Sequence, residues 1–405
     1  MNVAIVNIGD ELLSGKTLNT NSFWIKRILS SHGFHIQTQI TVKDEAYSIV
    51  SGLNFCISNN PDYLFLSGGM GSTDDDITRE VLFNYVNTKT KIDLEYFEIL
   101  KRNYEHAALK TNESIKKQAL IPEIGEVIPN PNGSARGLKF KKNNTIIYAL
   151  PGVPNEMKYM VSNQILPQIV NLIQYPILSR TLRTCGVSES KLHDLIGTRN
   201  NIDQNKIGYY PSVYGVDITI SNKKSYEINY CVKWMYKLFG TYIYAENEDN
   251  MEDIIIKNCT KHNQTLSIAE SCTGGLIGDR VTNVNGSSNV FKGGLVAYSN
   301  ESKVEILGVS KKILDQYGSV SKETALSMSK NVKKLFNSSI GLSVTGIAGP
   351  GGATEDKPVG LVYIGLATDT NTAVKKYNFS KDRKRNKIKT SQMALEFLRR
   401  GLLSE

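Results

Sequence analysis

The chain has 405 residues, of which 40% are hydrophobic and 21% charged, and 48 Lys and Arg against 39 Asp and Glu give a net charge of +9. A single core seldom exceeds about 250 residues, so two or three globular domains are expected. The five Cys are scattered without CxxC spacing, which argues against a disulfide framework and a zinc site and favours a reducing cytoplasm. With neither a signal peptide nor an apolar run near the ~20 residues of a membrane span, we expect a soluble cytoplasmic protein.

Much of the positive charge lies in one segment near the C-terminus, residues 381–389, which reads KDRKRNKIK. A basic helix start of this kind suits phosphate or nucleic acid as a ligand. A solvated helix face explains the same run equally well, so both interpretations stay open.

The first region, residues 1–170, alternates apolar runs with segments of helical spacing, the pattern of a parallel α/β sheet. The predicted strands are Val3–Ile8, Ile36–Val42, Tyr63–Leu66 and Thr145–Leu150, and the predicted helices are Asn21–Ser31 and Tyr47–Ser58. Ligands bind beyond the carboxyl ends of such strands. The loops Gly9–Ser14 and Ser67–Thr78 therefore mark the expected binding edge.

A glycine-rich loop, SGGMGST, follows the third predicted strand and leads into Asp74, Asp75 and Asp76 at a new helix start. Such a loop can hold phosphate through its backbone N–H groups. Three carboxylates beside it would repel a bare phosphate unless a divalent cation lies between them. A helix cap needs only one Asp, so the run favours a metal-assisted phosphate site over simple capping. Glu156, after the fourth strand, is expected near the same edge.

Four motifs of this region carry a family resemblance: GDELLSGKTLNTNS, SGGMGSTDDDIT, NPNGSARG and LPGVPNEM, in this order. They resemble the N-terminal domain of the CinA (competence/damage-inducible protein A) family, which is similar to molybdopterin-binding proteins of molybdenum cofactor synthesis. The resemblance implies hydrolysis of ADP-ribose-type pyrophosphates with a divalent metal ion. The metal-proximal residues that it implies are Asp10, Asp75, Asp76 and Glu156.

The second region, residues 176–248, has a βαββαβ-like order that predicts a small α+β module. Its predicted strands are Ser179–Cys185, Lys206–Tyr210, Val216–Ser221 and Tyr242–Tyr244, with helices after Ser188 and over Tyr226–Phe239. The module resembles the KH-like middle domain of the CinA family. It lacks the Gly-x-x-Gly loop of nucleic-acid binders, which argues against RNA binding.

The third region, residues 250–405, again alternates helices and strands and predicts a further α/β domain. Predicted helices cover Met251–His262, Leu276–Thr282, Asn300–Leu307, Lys322–Phe336 and Arg385–Leu403. Predicted strands cover the apolar run before Glu270 and the segments Phe291–Ala297, Ile340–Thr345, Gly360–Thr368 and Ala373–Phe379.

The first strand of this region runs into Ser271, Cys272 and Thr273, followed by two glycines and a helix start. Free backbone N–H groups at a helix start suit a nucleophile or an anion. His262 lies on the preceding helix, and the third region has no other histidine. A Ser-His-Asp triad is therefore not expected.

A lysine whose pKa is lowered by burial is the alternative base. Tyr298 and Lys303 stand at a strand end and on the following helix, where both could face Ser271. On the residues alone, a surface role for Lys303 is equally acceptable. Cys272 is the second choice as nucleophile, and packing behind the turn is favoured for it. The loop Gly346–Gly352 could supply oxyanion or phosphate contacts, or act as a mobile lid.

Four more motifs, AESCTGG, FKGGLVAYSNESK, VTGIAGPGG and KPVGLVYIG, resemble the C-terminal domain of the CinA family, which is similar to nicotinamide mononucleotide (NMN) deamidases. The resemblance implies hydrolysis of NMN to nicotinic acid mononucleotide and ammonia by Ser271, Tyr298 and Lys303, without metal or cofactor. It implies small nucleotides (NMN, ADP-ribose) as ligands and a homodimer, with no role for a membrane. The substrate-binding residues that it implies are Cys272, Thr273, Gly274, Thr345, Gly346, Gly349 and Arg383.

Two other interpretations remain. A nucleotide- or pterin-binding protein linked to competence or DNA damage, without catalysis, would fit the family name and the mild positive charge. A molybdenum-cofactor enzyme is disfavoured, because pterin chemistry gives the third region no purpose.

Overall fold

The computed structural model describes residues 1–106, 113–172, 178–197 and 207–402. Its contacts divide the chain into two compact units, Met1–Leu178 and Ser179–Glu405. The division into three domains at 1–170, 176–248 and 250–405 stays a prediction. The predicted positions Lys206 and Leu403 lie outside the described residues.

The first unit builds its main sheet from parallel strands joined by helices. Its strands are β1 (Asn2–Ile8), β2 (His35–Val42), β3 (Tyr63–Ser67), β4 (Thr90–Ile92), β5 (Leu120–Pro122), β6 (Glu126–Ile128), β7 (Gly137–Lys142) and β8 (Thr145–Leu150). Its helices are α1 (Asp10–Leu13), α2 (Thr20–Ser31), α3 (Ala46–Ile57), α4 (Thr78–Tyr85), α5 (Leu94–His106), α6 (Glu113–Ala119), α7 (Pro154–Met160) and α8 (Leu166–Val170), with a π-helical turn, Val161–Ile165, before α8.

Six strands form this main sheet in the order β2-β1-β3-β8-β7-β6. The first four run parallel, which confirms the predicted parallel α/β sheet. Strands β7 and β6 extend it antiparallel and were not predicted. A two-residue turn joins β7 to β8, with Asn143 at a φ of 53°, as antiparallel neighbours permit.

Strand β1 is buried from Val3 to Ile8, as expected for a central strand covered on both faces. Ala4 and Val6 pack with α3 and α4 on one face, while Val3 and Ile5 pack with α2 and α7 on the other. Because β1, β2, β3 and β8 run parallel, the loops after them leave the sheet at the same edge.

The chain from Leu178 onward contains two further sheets. Its strands are β9 (Leu178–Thr184), β10 (Ile207–Pro211), β11 (Val216–Asn222), β12 (Ile243–Glu246), β13 (Leu266–Glu270), β14 (Phe291–Val296), β15 (Ile340–Gly346), β16 (Leu361–Ala367) and β17 (Thr372–Asn378). Its helices are α9 (Glu189–Ile196), α10 (Ser225–Phe239), α11 (Met251–Lys261), α12 (Leu276–Thr282), α13 (Ser287–Val290), α14 (Asn300–Glu305), α15 (Lys311–Tyr317), α16 (Lys322–Leu335) and α17 (Arg383–Leu402).

The smaller sheet has the order β10-β11-β9-β12 and accompanies α9 and α10, the α+β arrangement that the sequence predicts. The larger sheet has the order β14-β13-β15-β16-β17, with β13 parallel to both of its neighbours and the last two strands antiparallel. Helices α11 and α17 pack in the core on one of its faces and α16 contributes to a second core cluster. The predicted α/β class is confirmed. No helix in the described ranges is long and apolar enough to cross a bilayer.

Candidate functional site

Strand β13 lies inside the larger sheet and delivers Ser271 directly beyond its carboxyl end. The Ser271 N–H donates to Val344 O at 3.0 Å, which ties the start of the turn to β15. Gly274 and Gly275 follow with φ angles of 61° and 93°. Two successive left-handed residues suit glycine alone, so the Gly-Gly pair is what lets the chain turn sharply behind Ser271.

The Glu270 side chain stabilises this turn through hydrogen bonds to its backbone. Its carboxylate, only 3% exposed, accepts hydrogen bonds from the N–H groups of Gly275, Ile277 and Gly278 at 3.0, 3.1 and 2.8 Å. The expectation that the N–H groups of this helix start point at a ligand is therefore wrong for these three, because the chain's own carboxylate takes them. Among the described residues, the N–H groups of Cys272 and Thr273 have no backbone acceptor.

Lys303 is buried beside Ser271. The residue is 1% exposed, and its ammonium nitrogen lies 3.1 Å from Ser271 Oγ. Its other contacts are the carbonyl oxygens of Ala297, Tyr298 and Ser299, at 2.9, 3.2 and 3.4 Å. Burial lowers the pKa of Lys303 from 10.5, since desolvation disfavours the charged amine. The alternative of a surface lysine is thereby excluded.

Cys272 and Thr273 point away from solvent behind the nucleophile. Burial raises the pKa of the Cys272 thiol to about 12, so the reactive thiolate is scarce at neutral pH. This favours Ser271 over Cys272 as the nucleophile. Thr273 is fully buried, and its hydroxyl has no hydrogen-bond partner among the described residues.

The Tyr298 side chain meets Arg383 and not Lys303. Arg383 Nη2 donates to the Tyr298 hydroxyl at 2.8 Å, and Arg383 Nη1 donates to Gly349 O at 2.7 Å. Only the backbone carbonyl of Tyr298 contacts Lys303. The structure thus brings Ser271 and Lys303 together and links the Tyr298 hydroxyl to the basic start of α17.

The remaining predicted binding residues lie at and after the end of β15. Thr345 is 1% exposed, and its hydroxyl donates to Ser319 O at 2.6 Å. A Cβ at Gly346 would stand 2.7 Å from the nearest backbone oxygen, which explains a glycine there without a ligand. Of these three residues, Gly349 has the contact with Arg383.

The first unit contains a cavity of about 530 Å³ at the carboxyl ends of its parallel strands. Asp75, Asp76 and Glu156 line it, together with the glycine-rich loop. Asp10 opens α1, is exposed, and does not line the cavity. Its N–H donates to the Asp44 carboxylate at 3.0 Å.

Asp44 lines this cavity and was missed in the sequence. Burial, followed by the charges of Glu11, Asp10 and Asp75, raises its pKa from 3.8. It is a single aspartate outside any motif, but its place two residues after β2 could have identified it, because that strand ends at the binding edge. Buried amides were missed as well: the side-chain oxygens of Asn7 and Gln118 have no partner in the described structure.

These carboxylates have the oxygen chemistry that a hard divalent cation prefers, and the mutual repulsion felt by Asp44 is what such a cation would relieve. They are not preassembled as ligands, since no group of three or more His, Cys, Asp or Glu among the described residues could hold a metal ion. Asp76 accepts from the Thr73 N–H at 3.0 Å. Burial raises the pKa of Glu156, which accepts from Asn130 Nδ2 at 2.6 Å.

Two family models match the chain. One described as "CinA C-terminal domain" matches residues 248–402, and one described as "Probable molybdopterin binding domain" matches residues 4–171. A "CinA-like protein" from Dictyoglomus thermophilum is 40% identical over 414 residues, covering 100% of each chain. Another "CinA-like protein", from Dictyoglomus turgidum, is 37% identical with the same coverage. The crystal structure of competence/damage inducible protein CihA from Agrobacterium tumefaciens is 37% identical, covers 38% of this chain and 93% of that one, and has a TM-score of 0.37.

Proposed function

The chain belongs to the CinA family, and we propose that its C-terminal region is an amidohydrolase that converts NMN and water to nicotinic acid mononucleotide and ammonia. The carrying observation is the 3.1 Å contact between Lys303 Nζ and Ser271 Oγ. A serine beside a buried lysine of lowered pKa is a nucleophile with its base, the pair that acyl transfer from an amide needs.

The proposed reaction starts with neutral Lys303 taking the proton of the Ser271 hydroxyl. Ser271 Oγ then bonds to the carboxamide carbon, and the carbonyl oxygen becomes an oxyanion. The N–H groups of Cys272 and Thr273, which have no backbone acceptor in the described structure, are suited to hold it. Protonated Lys303 returns the proton to the departing nitrogen, ammonia leaves, and water hydrolyses the acyl-enzyme to the carboxylate product.

Arg383 supplies positive charge next to this pair. Its contacts with Gly349 O and the Tyr298 hydroxyl hold the guanidinium in place, and an arginine so fixed suits a substrate phosphate. This arrangement gives Tyr298 a positioning role in the proposal. No metal or redox cofactor takes part in the proposed deamidation.

The test is incubation of the full chain with NMN, reading ammonia and nicotinic acid mononucleotide. We expect Ser271→Ala to lower kcat by ~10³-fold or more, as loss of a nucleophile does elsewhere, while it folds normally. Cys272→Ala is the matched control from the next position and is expected to keep most of the activity. Full activity in Ser271→Ala together with loss in Cys272→Ala would overturn the assignment.

A second function, metal-dependent hydrolysis of ADP-ribose, is supported by the carboxylate-lined cavity of the first unit. Asp44, Asp75 and Asp76 are not preassembled as ligands, but if they moved closer together they would hold a divalent cation, and such an ion would offset the negative charge of a pyrophosphate. The test is AMP release from ADP-ribose with and without Mg²⁺. Asp75→Asn should abolish AMP release. Asp74→Asn should not, because Asp74 lies outside the cavity wall. An equal loss of AMP release in both variants, or no loss in either, would contradict the role of Asp75.

A non-catalytic protein that binds a nucleotide or pterin is the alternative to both. It would bind NMN or ADP-ribose without forming ammonia or AMP. The homodimer remains a prediction, which light scattering of the full chain would test.

A further inference from the structure

Lys387 stands over the turn that carries the nucleophile. Its ammonium nitrogen is 3.5 Å from the position that a Cβ on Gly274 would occupy, so it rests against the bare backbone of that glycine. The side chain is half-buried. Within the described residues, its nitrogen has neither an ion-pair nor a hydrogen-bond partner.

Lys387 and Arg383 lie one helical turn apart on α17, a spacing that puts both on one face of the helix. Arg383 is fixed by Gly349 O and the Tyr298 hydroxyl, and Lys387 by its contact with Gly274. Two cations on one face, both against the loops that surround Ser271, make this the positive wall of the site.

Neither Glu270 in the turn nor Asp382 beside Arg383 forms an ion pair with these two cations in the described structure. The Glu270 carboxylate is occupied by three backbone N–H groups, and Asp382 is occupied by the N–H of Arg385 at 2.6 Å. Arg383 and Lys387 thus stand beside this turn without a carboxylate partner in the described structure, and two such cations on one helix face suit an anionic group of a ligand.

We propose that Lys387, together with Arg383, binds the phosphate of the nucleotide substrate and makes the site select nucleotides over nucleosides. The inference rests on the proposed deamidase function and deepens it by naming a specificity residue. A phosphate monoester carries close to two negative charges and three acceptor oxygens at neutral pH, enough for both cations. Lys387 contacts the substrate at a point remote from the bond that breaks, so its contribution falls on binding.

The experiment compares NMN with nicotinamide riboside, which has the same carboxamide and no phosphate. In Lys387→Ala we expect KM for NMN to rise ~10- to 100-fold with kcat nearly unchanged, the size of a lost charged hydrogen bond. Activity on the riboside should stay the same. Lys387→Arg should restore most of the NMN affinity, because it keeps the charge. Lys389→Ala is the matched control, a half-buried lysine two residues along the same helix.

An equal loss for both substrates would show that Lys387 only supports the turn, and an unchanged KM for NMN would show that it contacts no phosphate. Either result overturns the inference while leaving the deamidase function intact. Calorimetric titration of NMN into Ser271→Ala, with and without Lys387→Ala, decides the inference independently of turnover. If the wild type makes no ammonia but Lys387→Ala weakens NMN binding, the proposed function fails and the phosphate contact stands. Equal NMN binding in the two variants, or none in either, rules the contact out.

Discussion

Lys303 Nζ lies 3.1 Å from Ser271 Oγ, although the two residues are 32 positions apart and follow two neighbouring strands, β14 and β13. Parallel pairing places the carboxyl ends of these strands side by side, and α14 then directs the lysine back toward the serine. The topology of the sheet thus brings Ser271 and Lys303 together. The chemistry of this pair depends on the protonation state of the buried Lys303 amine.

The first prediction concerns the pH dependence of NMN deamidation. Because burial lowers the pKa of Lys303 from 10.5, kcat/KM should rise with pH and level off below that value. Lys303→Arg stays protonated throughout the accessible range, so it should lose ~10²- to 10⁴-fold in rate. Initial rates in buffers from about pH 5 to 11 measure both effects. A profile still rising at pH 10.5 would contradict the role of Lys303 as base.

The second prediction concerns stability. The folded-state pKa of Lys303 is lowered from its ordinary value of 10.5, so between the two values the unfolded chain binds more protons. The free energy of unfolding should therefore rise with pH across this window. Lys303→Met should lose that slope. Urea unfolding of both proteins at several pH values gives the comparison, and identical slopes would show that Lys303 is charged when folded.

The third prediction concerns Glu270. Glu270→Gln keeps the size of the side chain but offers one acceptor oxygen to N–H groups that now share two. We expect a loss of about 1–3 kcal/mol in the free energy of unfolding and a fall in kcat as Ser271 loses its fixed position. Chemical denaturation and steady-state kinetics measure these. The control is Glu305→Gln, at an exposed position of α14, which should change neither quantity.

The fourth prediction separates two roles of Tyr298. Tyr298→Phe removes only the hydroxyl that accepts from Arg383. If it positions Arg383, KM for NMN should rise ~2- to 10-fold, the worth of one hydrogen bond, with kcat little changed. A large fall in kcat at constant KM would instead assign the hydroxyl to proton transfer.

The fifth prediction concerns the cavity of the first unit. Burial and neighbouring carboxylates raise the folded-state pKa of Asp44 above 3.8, so its charge destabilises the fold as pH rises through that raised value. Asp44→Asn should make the protein more stable than the wild type at neutral pH, and the difference should vanish below about pH 3.8. Thermal unfolding across pH tests this; a less stable variant at pH 7 would contradict it.

The α/β class and the parallel strands of the first sheet followed from alternating apolar and helical segments, because parallel strands need helical crossovers. The order of the strands within each sheet was not predicted. The antiparallel β6 and β7 escaped prediction. β6 has three residues, too few for a pattern. β7 reads GLKFKK, and its alternation of Leu and Phe with Lys was overlooked because it covers only four residues.

The location of the sites was predictable where a motif follows a strand at the binding edge, directly as for Ser271 or through a glycine-rich loop as for Asp75. The burial of Lys303 was not, because a lysine on a short helix looks the same in sequence whether it faces solvent or the sheet. Asp10 and Asp44 show that membership of a motif does not by itself decide which residue lines the cavity. The motif drew attention to Asp10, whereas the cavity wall holds Asp44, whose position depends on how β2 aligns with β1.

The three backbone carbonyl oxygens around Lys303 Nζ solvate its ammonium group in place of water. They belong to consecutive residues, so the backbone orients them before any charge arises, and no water has to enter to solvate the ammonium. In the proposed reaction, a proton taken from Ser271 would rest there shielded from exchange with the bulk. Lys303 would then give the same proton to the departing ammonia. The carboxyl end of β14 would thus stabilise this proton between its removal from Ser271 and its transfer to the leaving nitrogen.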